Sequence, residues 1–354
     1  MSRPILIRPN STFDCHGDGT CCTTIHLLGP LTKDEARFVK SKAHIVLPNT
    51  RLKVVTTHEG SNDLALATND HRCVFQDTDA RCRYQEVLGH NAKPSVCRHF
   101  PLSATKTPHG IRIALSHRCP CVSLSTGPAL NEERANAILT SANKNKISCS
   151  IKIGNTVAWR DGKEISFNDY VLWENTLLEQ LDGTDPLPAL SNVLGMDYPE
   201  QLPTLHRKNW NTVSKRMLDW LNDAEEDDGF FCAVRWAALE LRDERSPWTP
   251  PLRPWDWTFR RSSARLREQM SPRRIFGSWL ADYFWSMMWC ADGTAYEAKA
   301  SASARYALAA RLTKRLHSTG TREDLAAAEA IMIVDIVTAS EPWLWVLKHI
   351  VESP

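Results

Sequence analysis

The stretch CVFQDTDARCRYQEVLGHNAKPSVCRHFP, residues 73–101, places Cys73, Cys82 and Cys97 with eight and fourteen residues between them. A polar turn over Gln76–Ala80 separates the first two cysteines, and Tyr84–Gly89 is long enough only for a short helix. Upstream come Cys15, then five residues, then the adjacent pair Cys21-Cys22; downstream come Cys119-Pro120-Cys121. Eight of the 11 cysteines therefore fall between Cys15 and Cys121. A segment so interrupted by turns gains little from a local core, so its cysteines read as the ties that hold it.

Three chemistries use such a set: disulfides, metal ligation and catalysis. Disulfides need an oxidising compartment. Residues Met1–Thr12 hold Arg3, Pro4, Arg8 and Pro9 and no apolar core of a secretory signal, so a reducing, cytoplasmic setting is expected. The odd cysteine total and the adjacent pair are also awkward for simple bridging. Metal-bound thiolates are the expected state. The absence of a C-x2-C pair disfavours an ordinary zinc finger or ribbon, whereas an all-thiolate set suits either zinc or an iron–sulfur cluster. Gly17 and Gly19 give the Cys15–Cys22 loop freedom to fold back on a metal. Cys149, Cys232 and Cys290 stand singly and read as buried residues. His16, His26, His71, His99 and His117 lie near cysteines, but each alone reads more readily as a hydrogen-bonded residue than as a ligand. Arg72, Arg81, Arg83, Arg98 and Arg118 also flank cysteines. They read either as a solvated basic face or as compensation for an anionic centre.

Around this region the chain divides by composition. Net charge is +7 over residues 1–150 and −5 beyond, and all 13 Trp lie after residue 158. The expected fold is α+β: a cysteine-rich, loop-rich metal-binding region of short strands and helices over 1–160, then a mostly α-helical domain over 161–354. Thr32-x-x-Glu35 reads as a capping box opening a helix to about Ala43, and Asn131 caps another running to about Lys144. Strands are expected at 51–57, 64–68 and 111–116. A hairpin is expected from 151–153 to 157–160 around Gly154-Asn155. Beyond it, helices are expected at 168–181, 208–222, 230–242, 272–291, 296–316, 322–340 and 343–351, with 225–228 a solvated acidic turn and 245–257 an irregular connector. Trp279, Phe284, Trp285, Met288 and Trp289 form an aromatic band suited to core packing. The overall charge of +2 disfavours a general nucleic-acid partner, despite the arginines between Arg253 and Arg274. No apolar run approaches the about 20 residues of a membrane span. No Rossmann or P-loop glycine motif, G-x-S-x-G elbow or H-E-x-x-H helix occurs.

The order Cys15, Cys21-Cys22, Cys73-Val74-Phe75, Cys82-Arg83-Tyr84, Lys93-Pro94-Ser95-Val96-Cys97-Arg98-His99-Phe100-Pro101 and Cys119-Pro120 resembles the YkgJ-type CxxCxxCC family of zinc- or iron-chelating proteins. Lys93 stands where that family has Arg. The layout is also similar to the flagellin lysine-N-methylases, FliB. The Gln85-to-Gly89 stretch between Cys82 and Cys97 and the strand before Cys119-Pro120 match that family. Thr23-Thr24-Ile25 follows the double cysteine without the family's Trp, and the family's extra cysteine before the pair is absent. These likenesses cover about residues 13–121. They imply a metal ligand pool of Cys15, Cys21, Cys22, Cys73, Cys82, Cys97, Cys119 and Cys121, with Arg98 contacting a cofactor or anion beside Cys97. They also imply an iron–sulfur cluster or zinc as cofactor. The methylase likeness further implies S-adenosylmethionine at the junction of the two regions and a protein substrate. The competing readings are a non-enzymatic metal protein with a structural, carrier or docking role, and an electron-transfer module.

Overall fold

The computed structural model describes residues 3–350 apart from 16, 18, 49–51, 58–61, 141–146, 183–185, 193, 196–200, 206–208, 222–227, 243–249, 264–265, 267 and 292. The first half carries β1 (Ile5–Ile7), α1 (Lys33–Val46), β2 (Val55–Thr57), β3 (Leu64–Leu66), β4 (Thr68–Asn69), β5 (Arg72–Cys73), α2 (Arg83–Leu88), α3 (Ser95–His99), β6 (Leu102–Lys106), β7 (Ile111–Leu115), α4 (Pro120–Ser123), α5 (Glu132–Leu139), β8 (Ile151–Lys152), β9 (Thr156–Arg160) and β10 (Lys163–Ser166). Among the described residues only helices follow: α6 (Phe167–Leu181), α7 (Leu187–Asn192), α8 (Trp210–Trp220), α9 (Gly229–Glu240), α10 (Asp256–Ser263), α11 (Pro272–Ser286), α12 (Ala295–Ser318), α13 (Glu323–Val337) and α14 (Glu341–Ile350). The chain is thus mixed α+β. No helix among the described residues is long and apolar enough to cross a membrane.

The main sheet runs β1-β7-β6-β8. β6 and β7 form an antiparallel hairpin pairing Leu102 with Leu115 and Lys106 with Ile111. β1 adds parallel to β7, Ile5 opposite Ile111, and β8 adds parallel to β6. This corrects the hairpin expected around Gly154-Asn155. β8 joins the main sheet, while β9 turns back on β10, Val157 opposite Ile165. The turn lies at Asp161-Gly162, where Gly162 has φ +67°, the conformation an Asp-Gly hairpin turn favours. The division expected after residue 160 falls within this hairpin.

Local chemistry sets most helix ends. Thr32 Oγ1 accepts the Glu35 backbone N–H at 3.2 Å and Glu35 Oε2 accepts that of Thr32 at 2.9 Å, a complete capping box for α1. Asn131 caps α5 in the expected way, but the helix ends at Leu139 and Thr140 is extended, short of the expected Lys144; 141–144 lie outside the described residues. The helix expected over 272–291 is broken. α11 stops at Ser286, Met287 adopts φ +52°, and a 3-10 turn covers Met288–Ala291. The cause is tertiary: Thr105 Oγ1 on β6 donates to the Ser286 carbonyl at 2.7 Å, satisfying one of the carbonyls that a helix end leaves unpaired. α10 begins at Asp256, inside the end of the expected connector, of which 245–249 lie outside the described residues, as do 225–227 of the expected acidic turn.

The helices form one apolar core with α13 inside it. All residues of α13 except Glu323 and Asp335 are buried, the pattern of a helix packed on every side. α9, α11 and α12 pack against it. Of the aromatic band, Trp279, Phe284 and Trp285 are buried and Met288 is exposed. The sheet joins this core through buried charge. Arg8 follows β1 and is 2% exposed. It donates Nε and Nη2 to Asp282 at 3.0 Å each, Nη1 to Asp182 at 2.6 Å and Nη2 to Ser278 Oγ at 3.0 Å. Arg112, the second residue of β7, makes a bidentate pair with Glu174 of α6 at 2.7 Å and 2.7 Å, and Trp285 Nε1 donates to the Ile113 carbonyl at 2.9 Å.

Burial raises the Asp282 pKa, but the Arg8 charge and the bonds from His117 and Arg8 outweigh it, leaving the carboxyl below the usual aspartate range. A depressed folded-state pKa stabilises above the unfolded value of about 3.9 and loses that contribution as pH falls through the folded value. Asp282→Asn is expected to cost about 3–5 kcal/mol at neutral pH, because it leaves a buried guanidinium poorly compensated. Urea unfolding should show this gap at pH 7 and a smaller one on acidifying below about pH 4.

Candidate metal centre

Four separate segments bring cysteines to one cavity. The first is the 3-10 turn Thr20–Cys22, entered through Gly19 at φ +67°. Gly19 packs against the turn that joins Cys73 to Cys82. Its carbonyl accepts Gln76 Nε2 at 2.8 Å, and a Cβ on Gly19 would collide with the Ala80 carbonyl and Gln76 Nε2. That second turn is shaped by Asp77, whose Oδ1 accepts the Asp79 and Arg81 backbone N–H groups at 2.8 Å each. Cys73 ends β5, and Cys82 occupies the N-cap of α2. Cys97 lies on α3, whose Ser95 N–H donates to Glu35 Oε1 at 2.7 Å, so the carboxylate that caps α1 also seats α3.

The cavity has a volume of about 310 Å³ and is walled by Cys21, Cys22, Cys73, Cys82 and Cys97, with apolar groups from Leu28, Val39, Leu66, Phe75 and Phe100. The Cys21 and Cys22 sulfurs lie 3.9 Å apart, well beyond the about 2.05 Å of a disulfide bond. Burial raises the Cys73 thiol pKa far above the usual range and pushes Cys97 up to about 12, with Cys21 and Cys82 adding like-charge repulsion against the lowering effect of Lys93. Cys82 is raised mainly by burial. For Cys22 the bond with Cys21 lowers the value, but burial and the other thiols prevail and raise it. Without metal these are neutral thiols at pH 7.

Lys93 is one cation at this cavity. Its Nζ donates to Gln85 Oε1 at 3.1 Å. Burial lowers its pKa, but the negative charge of the Cys21, Cys82, Cys22 and Cys97 sulfurs when ionised raises it more. The sequence offered only a weak signal for it, the substitution of Lys for Arg in the Lys93–Pro101 segment. Arg118 and His26 also line the wall. Arg118 Nε and Nη2 donate to the Asp335 carbonyl of α13 at 3.2 and 3.0 Å.

Cys15, Cys119, Cys121 and Arg98 are not among the lining residues. Cys15 is exposed. Cys119 and Cys121 flank Pro120 at the start of α4 and are buried among Phe13, Leu102, Ile113 and Leu115. Arg98 Nη1 instead donates to the Lys93 carbonyl at 3.2 Å and the Asn91 carbonyl at 3.4 Å, bracing the loop that carries Lys93. Arg72 and Arg81 pair with Asp70 and with Asp79 and Glu86. His16 lies outside the described residues. Among the described residues, no group of three or more His, Cys, Asp or Glu side chains is arranged to hold a single metal ion.

A second cavity, of about 650 Å³, opens between the β6–β7 hairpin and α11, α12 and α13. It includes Trp279, Tyr283, Trp289, Glu297, Arg305 and Asp335, and it shares Arg118 with the cysteine cavity. His117, also on its wall, bonds Asp282 Oδ2 through Nε2 at 3.2 Å and Ser123 Oγ through Nδ1 at 3.0 Å. Comparison with protein families, curated proteins and solved structures found no match to this chain.

Gly19→Ala should disturb the Cys21-Cys22 turn selectively. A left-handed φ at a non-glycine residue costs on the order of 1–3 kcal/mol, and the new methyl also strikes the neighbouring turn. Amide exchange at Cys22 and Thr23 in metal-free protein is expected to accelerate, with α12 and α13 unchanged; unchanged exchange at Cys22 would mean that Gly19 does not set this turn.

Proposed function

We propose that the chain is a cysteine-cluster metalloprotein carrying an iron–sulfur cluster on Cys21, Cys22, Cys73, Cys82 and Cys97, used four at a time. The observation that supports this reading is the meeting of five thiols from four chain segments around one apolar cavity, with Lys93 as the compensating cation. The donor set fits the group: soft thiolates in a largely apolar shell suit an iron–sulfur cluster. A lone zinc ion needs four ligands at about 2.0–2.3 Å, a smaller space than a cavity of about 310 Å³. Raised thiol pKa values mean that loading the centre displaces protons. Such chemistry calls for a reducing compartment such as the cytoplasm.

Protein purified without oxygen is expected to contain iron and acid-labile sulfide. Cys82→Ser and Cys97→Ser should lose most of it, while Cys15→Ser, Cys119→Ser and Cys121→Ser retain it. Equal loss from Cys119→Ser and Cys97→Ser would refute the ligand set. Zinc without sulfide would favour the structural, carrier or docking alternative.

A second reading is protein-lysine methylation, as the likeness to the flagellin methylases implies. It is favoured by the cavity of about 650 Å³ beside the cysteine cavity, which has aromatic walls and the carboxylates of Glu297 and Asp335. S-adenosylmethionine would supply an electrophilic methyl group there. A sulfonium is a cation, and aromatic faces and carboxylates attract cations. Calorimetry of the metal-loaded protein with S-adenosylmethionine should give saturable binding; no heat of binding would remove the methylase reading and leave the metal centre standing.

A further inference from the structure

His26 follows Cys22 by four residues, and its ring lies on the wall of the cysteine cavity. The ring stands edge-on to Phe100, with centroids 5.3 Å apart. The imidazole hydrogen-bonds the backbone of Arg118. Its Nε2 is buried and has no hydrogen-bond partner, so the bond to Arg118 belongs to Nδ1. That bond favours the protonated ring, which identifies the Arg118 partner as the carbonyl acceptor and Nδ1 as the N–H donor. The remaining nitrogen, Nε2, then carries a lone pair.

A buried acceptor without a donor is costly, and the surrounding wall is largely apolar. A metal ion or a hydrogen-bond donor would satisfy it. Neutral imidazole binds metals through one nitrogen while the other donates to a carbonyl or carboxylate that fixes the tautomer. His26 already makes that second bond, to the Arg118 carbonyl, and it shares its cavity with five thiols. The wall's other side-chain nitrogen groups, the Lys93 ammonium and the Arg118 guanidinium, have no lone pair to offer.

We propose that His26 is a nitrogen ligand of the metal centre through Nε2, in a mixed cysteine–histidine set. This rests on the reading of the cysteine cavity as an iron–sulfur site. Replacing thiolate by neutral imidazole removes negative charge from a cluster, and histidine ligation raises cluster potentials relative to all-cysteine ligation. His26 would thus set the potential of the centre, and Arg118, through its carbonyl, would hold the ring in the ligating tautomer.

The test uses full-length protein with 15N-labelled histidine, reconstituted without oxygen with ferrous iron and sulfide. Iron and sulfide are quantified first. Pulsed paramagnetic resonance of the reduced centre should then show a hyperfine coupling of the size expected for a directly bonded imidazole nitrogen. It should follow the isotope and vanish in His26→Ala protein that still holds iron. If the reduced centre is diamagnetic, X-ray absorption on the same sample reads the outer scattering of a bound imidazole. Iron-loaded protein without either signature overturns the role of His26 and leaves the cysteine centre intact. Protein that takes up no iron or sulfide overturns the centre itself, and His26 with it. The labelled wild-type readout stands even if His26→Ala does not fold.

Discussion

The Arg8–Asp282–His117 contact is the constraint on which the rest of the arrangement turns. Three ionisable side chains, each no more than 2% exposed, meet inside the protein. Asp282 accepts from Arg8 Nε and Nη2 and from His117, while Asp182 and Ser278 take further guanidinium donors. Taking such charges out of water is expensive, and the arrangement is tolerable only when nearly every donor and acceptor is satisfied. That requirement makes the contact specific. It fixes the chain after β1 and the segment after β7 against one face of α11. Arg118 is adjacent to His117, so the clip also sets where that guanidinium stands between the two cavities.

The legible part of the fold was the part governed by local chemistry. The Thr32–Glu35 capping box, the Asn131 cap and the long apolar-patterned helices were readable because each depends on neighbours a few residues away. The main sheet was not. β1 is three residues long and gains its place from pairing with β7, over a hundred residues later. Nothing local marks Arg8 and Arg112 for burial, because their carboxylates Asp282 and Glu174 come from α11 and α6. The Gly154-Asn155 hairpin failed because two turn signals lay close together and only tertiary pairing could choose Asp161-Gly162.

The same division runs through the candidate site. Cysteine spacing pointed to eight residues, of which Cys21, Cys22, Cys73, Cys82 and Cys97 line one cavity and the exposed Cys15 does not. It could not separate them from Cys119 and Cys121, because a buried cysteine packs as a small apolar residue when no other thiol is near. Both of those sit among Phe13, Leu102, Ile113 and Leu115. Arg98 drew attention by adjacency to Cys97, yet it reaches backwards and braces the Lys93 loop. The residue whose charge meets the sulfurs is Lys93, four positions before Cys97. On a short helix preceded by a loop, sequence distance from a ligand says little about which side chain faces it.

Arg118 links these observations electrostatically. Burial lowers its pKa, the Asp335 charge raises it and Arg305 lowers it again, yet a guanidinium remains charged at any physiological pH. A fixed positive charge on the wall of both cavities, in surroundings that screen poorly, favours added negative charge on either side and resists added positive charge. An anionic thiolate centre in the first cavity would therefore offset part of the unfavourable potential that Arg118 and Arg305 present to a cation in the second. A charge shared by both walls would couple their occupancy without any movement of the backbone between them.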